Sequence, residues 1–239
     1  MVRPGGTAVD SVQGYVRRYS LTRLLSPELL AGLTPLRRHP GELVLRSGDP
    51  ADNVLFLVEG RIKIFSSLEN GRNLLAAIYD PFDVLGEVEL FTAESYTLSV
   101  QAMTPTVCLR LPVKAIRRHA EKNARLFMYL CGRLGAKLAD RVVTQSITLR
   151  YPVENRLASY LQAGADGEGW LLGTQNLGEL ADFLGTSYRQ LSRVVRRFRD
   201  AGILDRTRGR VRVRDRTKLR PLARDVYVRS VKNGGIFSA

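Results

Sequence analysis

Arginine is the residue type in this chain best suited to chemistry with a partner, and its distribution is uneven. Between Arg189 and Arg220 stand 13 basic and 3 acidic residues, in a chain whose net charge is +14. A guanidinium carries five N–H donors in a planar fork, which matches phosphate oxygens or the O6/N7 edge of guanine. Arg189 and Arg193 lie four residues apart just after Ser187, so a helix would present both on one face near its N-terminus. They are candidates for bidentate contact with guanine. Tyr188 and Gln190 are candidates for contact with phosphate or a base edge. Arg196, and Arg208 and Arg210 further on, are candidates for phosphate contacts, which hold register without reading sequence. A charge run alone also fits a solvated surface or an anionic membrane, so the assignment to double-stranded DNA depends on the elements that carry these arginines.

Other chemistries find few residues. Cys108 and Cys131 are the two cysteines, too few for an iron–sulfur or zinc site built from four thiolates. Both are read as buried free thiols, in keeping with a reducing compartment. His39 and His119 are the two histidines and stand eighty residues apart. They argue against haem ligation and against the clustered histidines that a cupin needs around a metal. The sequence holds no P-loop, no G-x-S-x-G elbow and no H-E-x-x-H pair, so no enzymatic reading is supported. Met1–Asp10 lacks the apolar core of a secretory signal, and no run of eighteen apolar residues predicts a membrane span. The expected location is the cytoplasm.

The elements that must position the arginines are legible from local signals. Asn176-Leu177-Gly178-Glu179 predicts a capped helix with Leu177, Leu180, Ala181 and Leu184 inward, stopped by Gly185. Ser187 followed by Gln190 predicts a capping box opening a second helix, with Leu191, Val194, Val195 and Phe198 inward. Small Ala181, turning Gly185 and aliphatic Leu191 meet the steric needs of a helix-turn-helix. Ile203–Arg206 and Val211–Val213 predict a hairpin wing behind it. Further upstream, Leu43–Leu45, Val54–Val58, Arg61–Ser66, Leu74–Ile78, Leu98–Ala102 and Val107–Leu111 read as short strands, with Asn70-Gly71 a hairpin signal. Many short strands at regular spacing predict an antiparallel barrel or roll. From Glu121 to about Leu149 runs a proline-free helical stretch in which Leu126, Leu130, Leu134 and Leu138 recur every four residues, beside Gly132, Gly135, Ala136 and Ala139. This stripe is expected to meet a second copy of itself, with a core helix of the monomer as the alternative. Tyr151-Pro152 ends it. The expected division is a loose lead over 1–20, a roll over 21–120, the long helix over 121–150, the winged unit over 151–220 and a tail over 221–239.

Taken together, these residues resemble the CRP/FNR family from about Leu29 to Leu219. Gly41, Gly48, Gly60 and Asp83-Val84-Leu85-Gly86-Glu87-Val88-Glu89-Leu90-Phe91 are similar to its glycine-punctuated roll, and Gly185–Arg193 to its recognition helix. Gly86-Glu87-Val88-Glu89-Leu90, Pro152-Val153-Glu154-Asn155-Arg156-Leu157-Ala158 and Leu184-Gly185-Thr186-Ser187-Tyr188-Arg189 resemble the YeiL-type branch. The resemblance implies an α+β fold: an N-terminal antiparallel β-roll of the cyclic-nucleotide-binding jelly-roll kind, a long dimerisation helix and a C-terminal winged helix-turn-helix. It also implies a homodimer that regulates transcription, contacts RNA polymerase and is controlled by an effector in the roll. Gly86 and Glu87 fall where cyclic-AMP-binding members hold the ribose, and Glu87 is read equally as a turn residue. The family's phosphate-binding Arg-Ser pair falls on Tyr96-Thr97, and its adenine-contacting Thr-Ser pair near Arg141-Val142. A buried cyclic phosphate would lack its cation, so the resemblance argues against cyclic AMP while marking Gly86, Glu87, Tyr96, Thr97 and Arg141 as an effector pocket. In the recognition helix, Tyr188-Arg189 stands where the cyclic-AMP members have Arg-Glu, and Arg193 matches their later arginine, so a different operator is expected. Two alternatives remain: a regulatory module acting through protein partners, and a regulator competent without any effector.

Overall fold

The computed structural model describes residues 11–67, 69, 71, 73–92, 94–119, 124–144, 151–172, 176–207, 210–224, 226 and 228–229, with the side chains of 140–144 and 228–229 outside that description. Ser11 opens α1 (Val12–Arg18) by accepting the Gly14 N–H, and Tyr15 on it is buried. The lead, expected to be loose, therefore carries a helix. A 3₁₀ turn (Leu21–Arg23) and α2 (Pro27–Ala31) follow, the latter capped by Ser26 with proline at its first turn.

The roll is two facing sheets. One has the order β1 (Thr34–Arg38), β8 (Thr106–Pro112), β3 (Asn53–Glu59), β6 (Asp83–Leu85). The other contains β5 (Asn73–Tyr79), β4 (Ile62–Ser67), β7 (Ser99–Ala102) and β2 (Leu43–Leu45). All pairs within the roll are antiparallel. β3 is apolar without alternation because both its faces are covered. Leu55 and Leu57 join the core between the sheets, while Val54, Phe56 and Val58 pack under the helices. β1 and β6 were not among the expected strands. β1 holds Pro35 and pairs on one side only, with β8, where a missing N–H is tolerated. β6 is three residues long. The β4–β5 hairpin forms, but its last pair is Ser67↔Asn73, so the loop is longer than a two-residue turn. Asn70 itself lies outside the described residues.

After α3 (Glu89–Thr92) and α4 (Val113–Arg118) comes α5 (Ala124–Thr144). Here one expectation is corrected. Leu126 and Leu130 are buried in their own roll, and it is Leu138 that is 65% exposed. Four residues advance a helix by about 400°, so a stripe of every fourth residue turns about 40° per step and leaves one face for another. The inward line runs Leu126, Leu130, Arg133, Lys137. The outward line is Met128 (64% exposed), Cys131, Gly132, Gly135, Leu138 and Ala139. The reading of both thiols as buried is likewise corrected: Cys108 is buried and Cys131 exposed.

The C-terminal unit comprises α6 (Val153–Gly164), α7 (Leu177–Phe183), α8 (Tyr188–Asp200), the hairpin β9 (Leu204–Thr207) and β10 (Arg210–Val213), and α9 (Arg216–Ala223). Its core is continuous with the outer face of the roll, where Phe65, Leu75, Ile78 and Met103 join it. Phe65 meets Phe183 edge-on at 5.3 Å between ring centroids. Lys63 of β4 is buried here too, its Nζ 3.6 Å from the Phe183 ring centroid and 3.4 Å from the Tyr160 hydroxyl. Arg61 pairs with Asp80 and donates to the Ala163 carbonyl at 2.7 Å. The chain then returns to the roll, where β11 (Val228–Arg229) adds to β5 in parallel.

Candidate nucleic-acid interface and sensor cavity

The turn between α7 and α8 is built by short-range chemistry. Asn176 caps α7 through the Gly178 N–H, and Gly185 takes φ +59°, the left-handed conformation that ends such helices. Thr186 N–H returns to the Ala181 carbonyl at 2.9 Å. Ser187 accepts the Gln190 N–H at 3.2 Å, the first half of the expected capping box. The reciprocal half is not made: Gln190 Oε1 accepts from Thr186 Oγ1 at 2.8 Å instead.

Three successive residues of α6 fasten the unit. Glu154 pairs with Arg197 of α8. Asn155 donates to the Leu222 carbonyl of α9 at 2.7 Å. Buried Arg156 donates to the carbonyls of Leu184 and Gly185, at the C-terminal end of α7. A cation on these carbonyls is favoured by both their lone pairs and the helix dipole.

With Leu191, Val194 and Phe198 buried, α8 turns its other face outward. Tyr188 is 58% exposed, and Arg189, Gln190, Arg193 and Arg196 are exposed with it. Arg189, Arg193 and Arg196 make no ion pair among the described residues, whereas Arg197 is taken by Glu154. The Ser187–Gln190 edge faces Asn73 and Leu74 of β5 across a cleft of ≈ 410 Å³. On the wing, Arg210 and Arg212 lie 4.7 Å and 5.1 Å from the Trp170 ring centroid. Arg212 also donates to the Glu168 carbonyl at 3.0 Å, and Arg214 pairs with Asp205, holding that carboxyl below its usual range. Arg208 lies outside the described residues.

The second site is a cavity of ≈ 290 Å³ between the roll and α5. Gly86, Glu87, Tyr96 and Thr97, four of the five expected pocket residues, line it together. The side chain of Arg141 lies outside the described part. Gly86 has φ +79°, and a Cβ there would sit 2.8 Å from the Asn53 carbonyl, so glycine is required. Buried Glu87 receives Lys137 Nζ at 2.6 Å. Lys137 also donates to the Val84 carbonyl at 2.5 Å and lies 3.2 Å from Asp83, which Arg133 meets at 2.6 Å. Glu89 accepts both the backbone N–H and the hydroxyl of Thr97.

Residues 35–123 match the family model of the cyclic nucleotide-binding domain, and residues 155–222 that of the Crp-like helix-turn-helix domain. The chain belongs to the CRP/FNR family of DNA-binding transcription regulators. It is similar to the regulatory protein YeiL of Escherichia coli O157:H7, 27% identical over 76% of this chain and 82% of that protein. It is also similar to the transcriptional activator Anr of Pseudomonas aeruginosa, 24% identical over 79% of each. A solved CRP/FNR-family regulator from Eubacterium rectale superposes with a TM-score of 0.69 at 17% identity, covering 85% of this chain and 97% of that one. The α+β architecture of roll, helix and winged helix-turn-helix is thus that of the CRP/FNR fold.

Sequence reasoning missed Arg133, Lys137, Asp83 and Trp170. Arg133 and Lys137 continue the inward line of α5 from Leu126 and Leu130, and cations on an apolar line signal buried acids opposite. Asp83 and Glu87, four apart in an apolar stretch, are those acids. Trp170, the chain's single tryptophan, sits in a polar glycine-rich loop where no core calls for it.

Proposed function

We propose that this CRP/FNR regulator binds a two-fold-related DNA site as a homodimer, with one α8 in the major groove of each half-site. In this reading Arg189 and Arg193 contact guanine edges, and Tyr188, Gln190 and Arg196 flank them on base edges or phosphate. Ser187 orients the helix N-terminus toward the duplex, while Arg208 and Arg210 hold the backbone from the wing. The observation that carries it is the row of exposed arginines on α8 that make no ion pair among the described residues, beside an Arg197 that is tied down. The outward face of α5, apolar and small at helical spacing, supports pairing with a second copy, with Val88 and exposed Phe91 at its flank. The working location is the cytoplasm, and RNA polymerase is the partner on the promoter. The roll acts as sensor over 21–120, α5 and its extension to 150 as the dimer helix, and 151–220 as the DNA-binding unit.

The test is a genome-wide binding map followed by binding titrations on the recovered site. Arg193→Ala is expected to cost about 1–3 kcal/mol and to relax preference at one base pair. Wild-type affinity is expected to fall steeply with salt, with a log–log slope of about −0.9 per phosphate neutralised. Unchanged affinity and preference in Arg193→Ala would remove the assigned reading face.

A further inference from the structure

We infer that the roll cavity accepts an uncharged, predominantly hydrocarbon small molecule and excludes cyclic nucleotides. This rests on the proposal that the roll is a sensor, and it names the ligand class.

The walls are mostly aliphatic: Leu45, Ile64, Leu85, Val100, Leu134 and Leu138 all face the space. Its volume, ≈ 290 Å³, is at the small end of the range for small-molecule sites. Several of the polar groups on its rim are engaged with one another. An ammonium has three N–H bonds, and Lys137 directs two of them at Glu87 and the Val84 carbonyl while pairing with Asp83 at 3.2 Å. Glu89 holds Thr97. The Tyr96 hydroxyl donates to the Asn53 carbonyl at 2.7 Å, so it faces away from any ligand.

Charge points the same way. Asp83, Glu87 and Glu89 oppose Arg133 and Lys137, leaving the described cluster one negative charge in excess. A phosphate diester entering here would add a second, and binding it through Lys137 would strand Glu87 as a buried unpaired carboxylate. Lys137 already holds Glu87 Oε1, so a ribose hydroxyl would have to share this carboxylate with an ammonium. A hydrocarbon asks none of this, and burying it against leucine and valine is favourable in proportion to its area. Because Leu134 and Leu138 belong to α5, filling the cavity bears directly on the helix proposed to join two copies.

The test uses the full-length protein and the uncharged fluorophore N-phenyl-1-naphthylamine. Saturable binding at one probe per chain is expected, with no displacement by cyclic AMP or cyclic GMP. Val100→Trp, which fills the space, is expected to weaken probe binding about tenfold or more. Leu45→Phe, a smaller filling, serves if Val100→Trp does not fold. A single cooperative thermal transition and a circular dichroism spectrum like the wild type's show that the fold is intact. Displacement of the probe by a cyclic nucleotide, or direct binding of one, overturns the ligand class while leaving the sensor reading in place. No probe binding by a wild-type protein that still binds DNA overturns the inference alone. Loss of DNA binding in the wild type, whatever the probe does, overturns the functional reading beneath it.

Discussion

Replacing Lys63 by methionine is expected to remove a pH dependence written into the contact between the roll and the winged unit. Lys63 is 1% exposed, and burial pushes its ammonium down from 10.5 to about 8, against the smaller opposing pull of Glu179. That difference corresponds to about 3 kcal/mol by which the charged form is disfavoured in the folded protein. The unfolded chain binds the proton more tightly, so folded stability rises with pH. The favourable contribution is complete above 10.5 and is lost as pH falls to about 8. From pH 7 to pH 9.5 the linkage amounts to about 2 kcal/mol. The Phe183 face, 3.6 Å from Nζ, favours the cation and trims the gain toward about 1 kcal/mol. Methionine keeps the length and apolar stem but carries no proton. Chemical denaturation of both proteins across this range isolates the group, because other titrations cancel in the difference; Tyr160, raised by burial, stays protonated throughout. The wild type is expected to gain about 1–2 kcal/mol on the variant from pH 7 to 9.5. Parallel curves would refute the reasoning and mean that Lys63 keeps a water path the packed interface denies it.

Cys131 is exposed on the outward face of α5, while Cys108 is buried and its thiol pushed up to about 12; a short bismaleimide is therefore expected to cross-link the native protein into dimers on mass spectrometry and gels, and Cys131→Ser to abolish them. The guanidinium groups of Arg210 and Arg212 lie over the Trp170 ring, so its emission is expected to shift when duplex DNA is added. Trp170→Leu is expected to weaken DNA affinity by about 0.5–1 kcal/mol with the salt slope unchanged, since both arginines remain; a reduced slope would contradict a positioning role. Arg156→Met deprives the Leu184 and Gly185 carbonyls of their donor, and is expected to cost about 2 kcal/mol in chemical denaturation and to lower DNA affinity by loosening the seat of α8. Unaltered stability would show that the buried arginine contributes no net hydrogen-bond energy.

What could be read along the chain was whatever is decided within a few residues. The turn at Gly185, the Ser187 cap and the inward line Leu191, Val194, Phe198 follow from local geometry, and they suffice to orient the arginines of α8. The strand segments of the roll were legible in the same way, through turn glycines and alternation, whereas Gly86, Glu87, Tyr96 and Thr97, which line the cavity, were pointed to only by the resemblance to the family. The reach of periodicity ends where a helix is apolar on two faces. Leucines at every fourth position of α5 do not say which of them meets the roll, because the repeat drifts around the axis and the helix is apolar on both sides. Only packing sends Leu126 and Leu130 inward and leaves Met128 and Leu138 outside. Likewise Lys137 lies fifty residues from Glu87, and Lys63 nearly a hundred from Tyr160. Such pairings carry no local signature, since desolvating a charge beside its partner is a property of two chain segments meeting. The tertiary structure therefore decided which side chains line the cavity and which of its acids are paired.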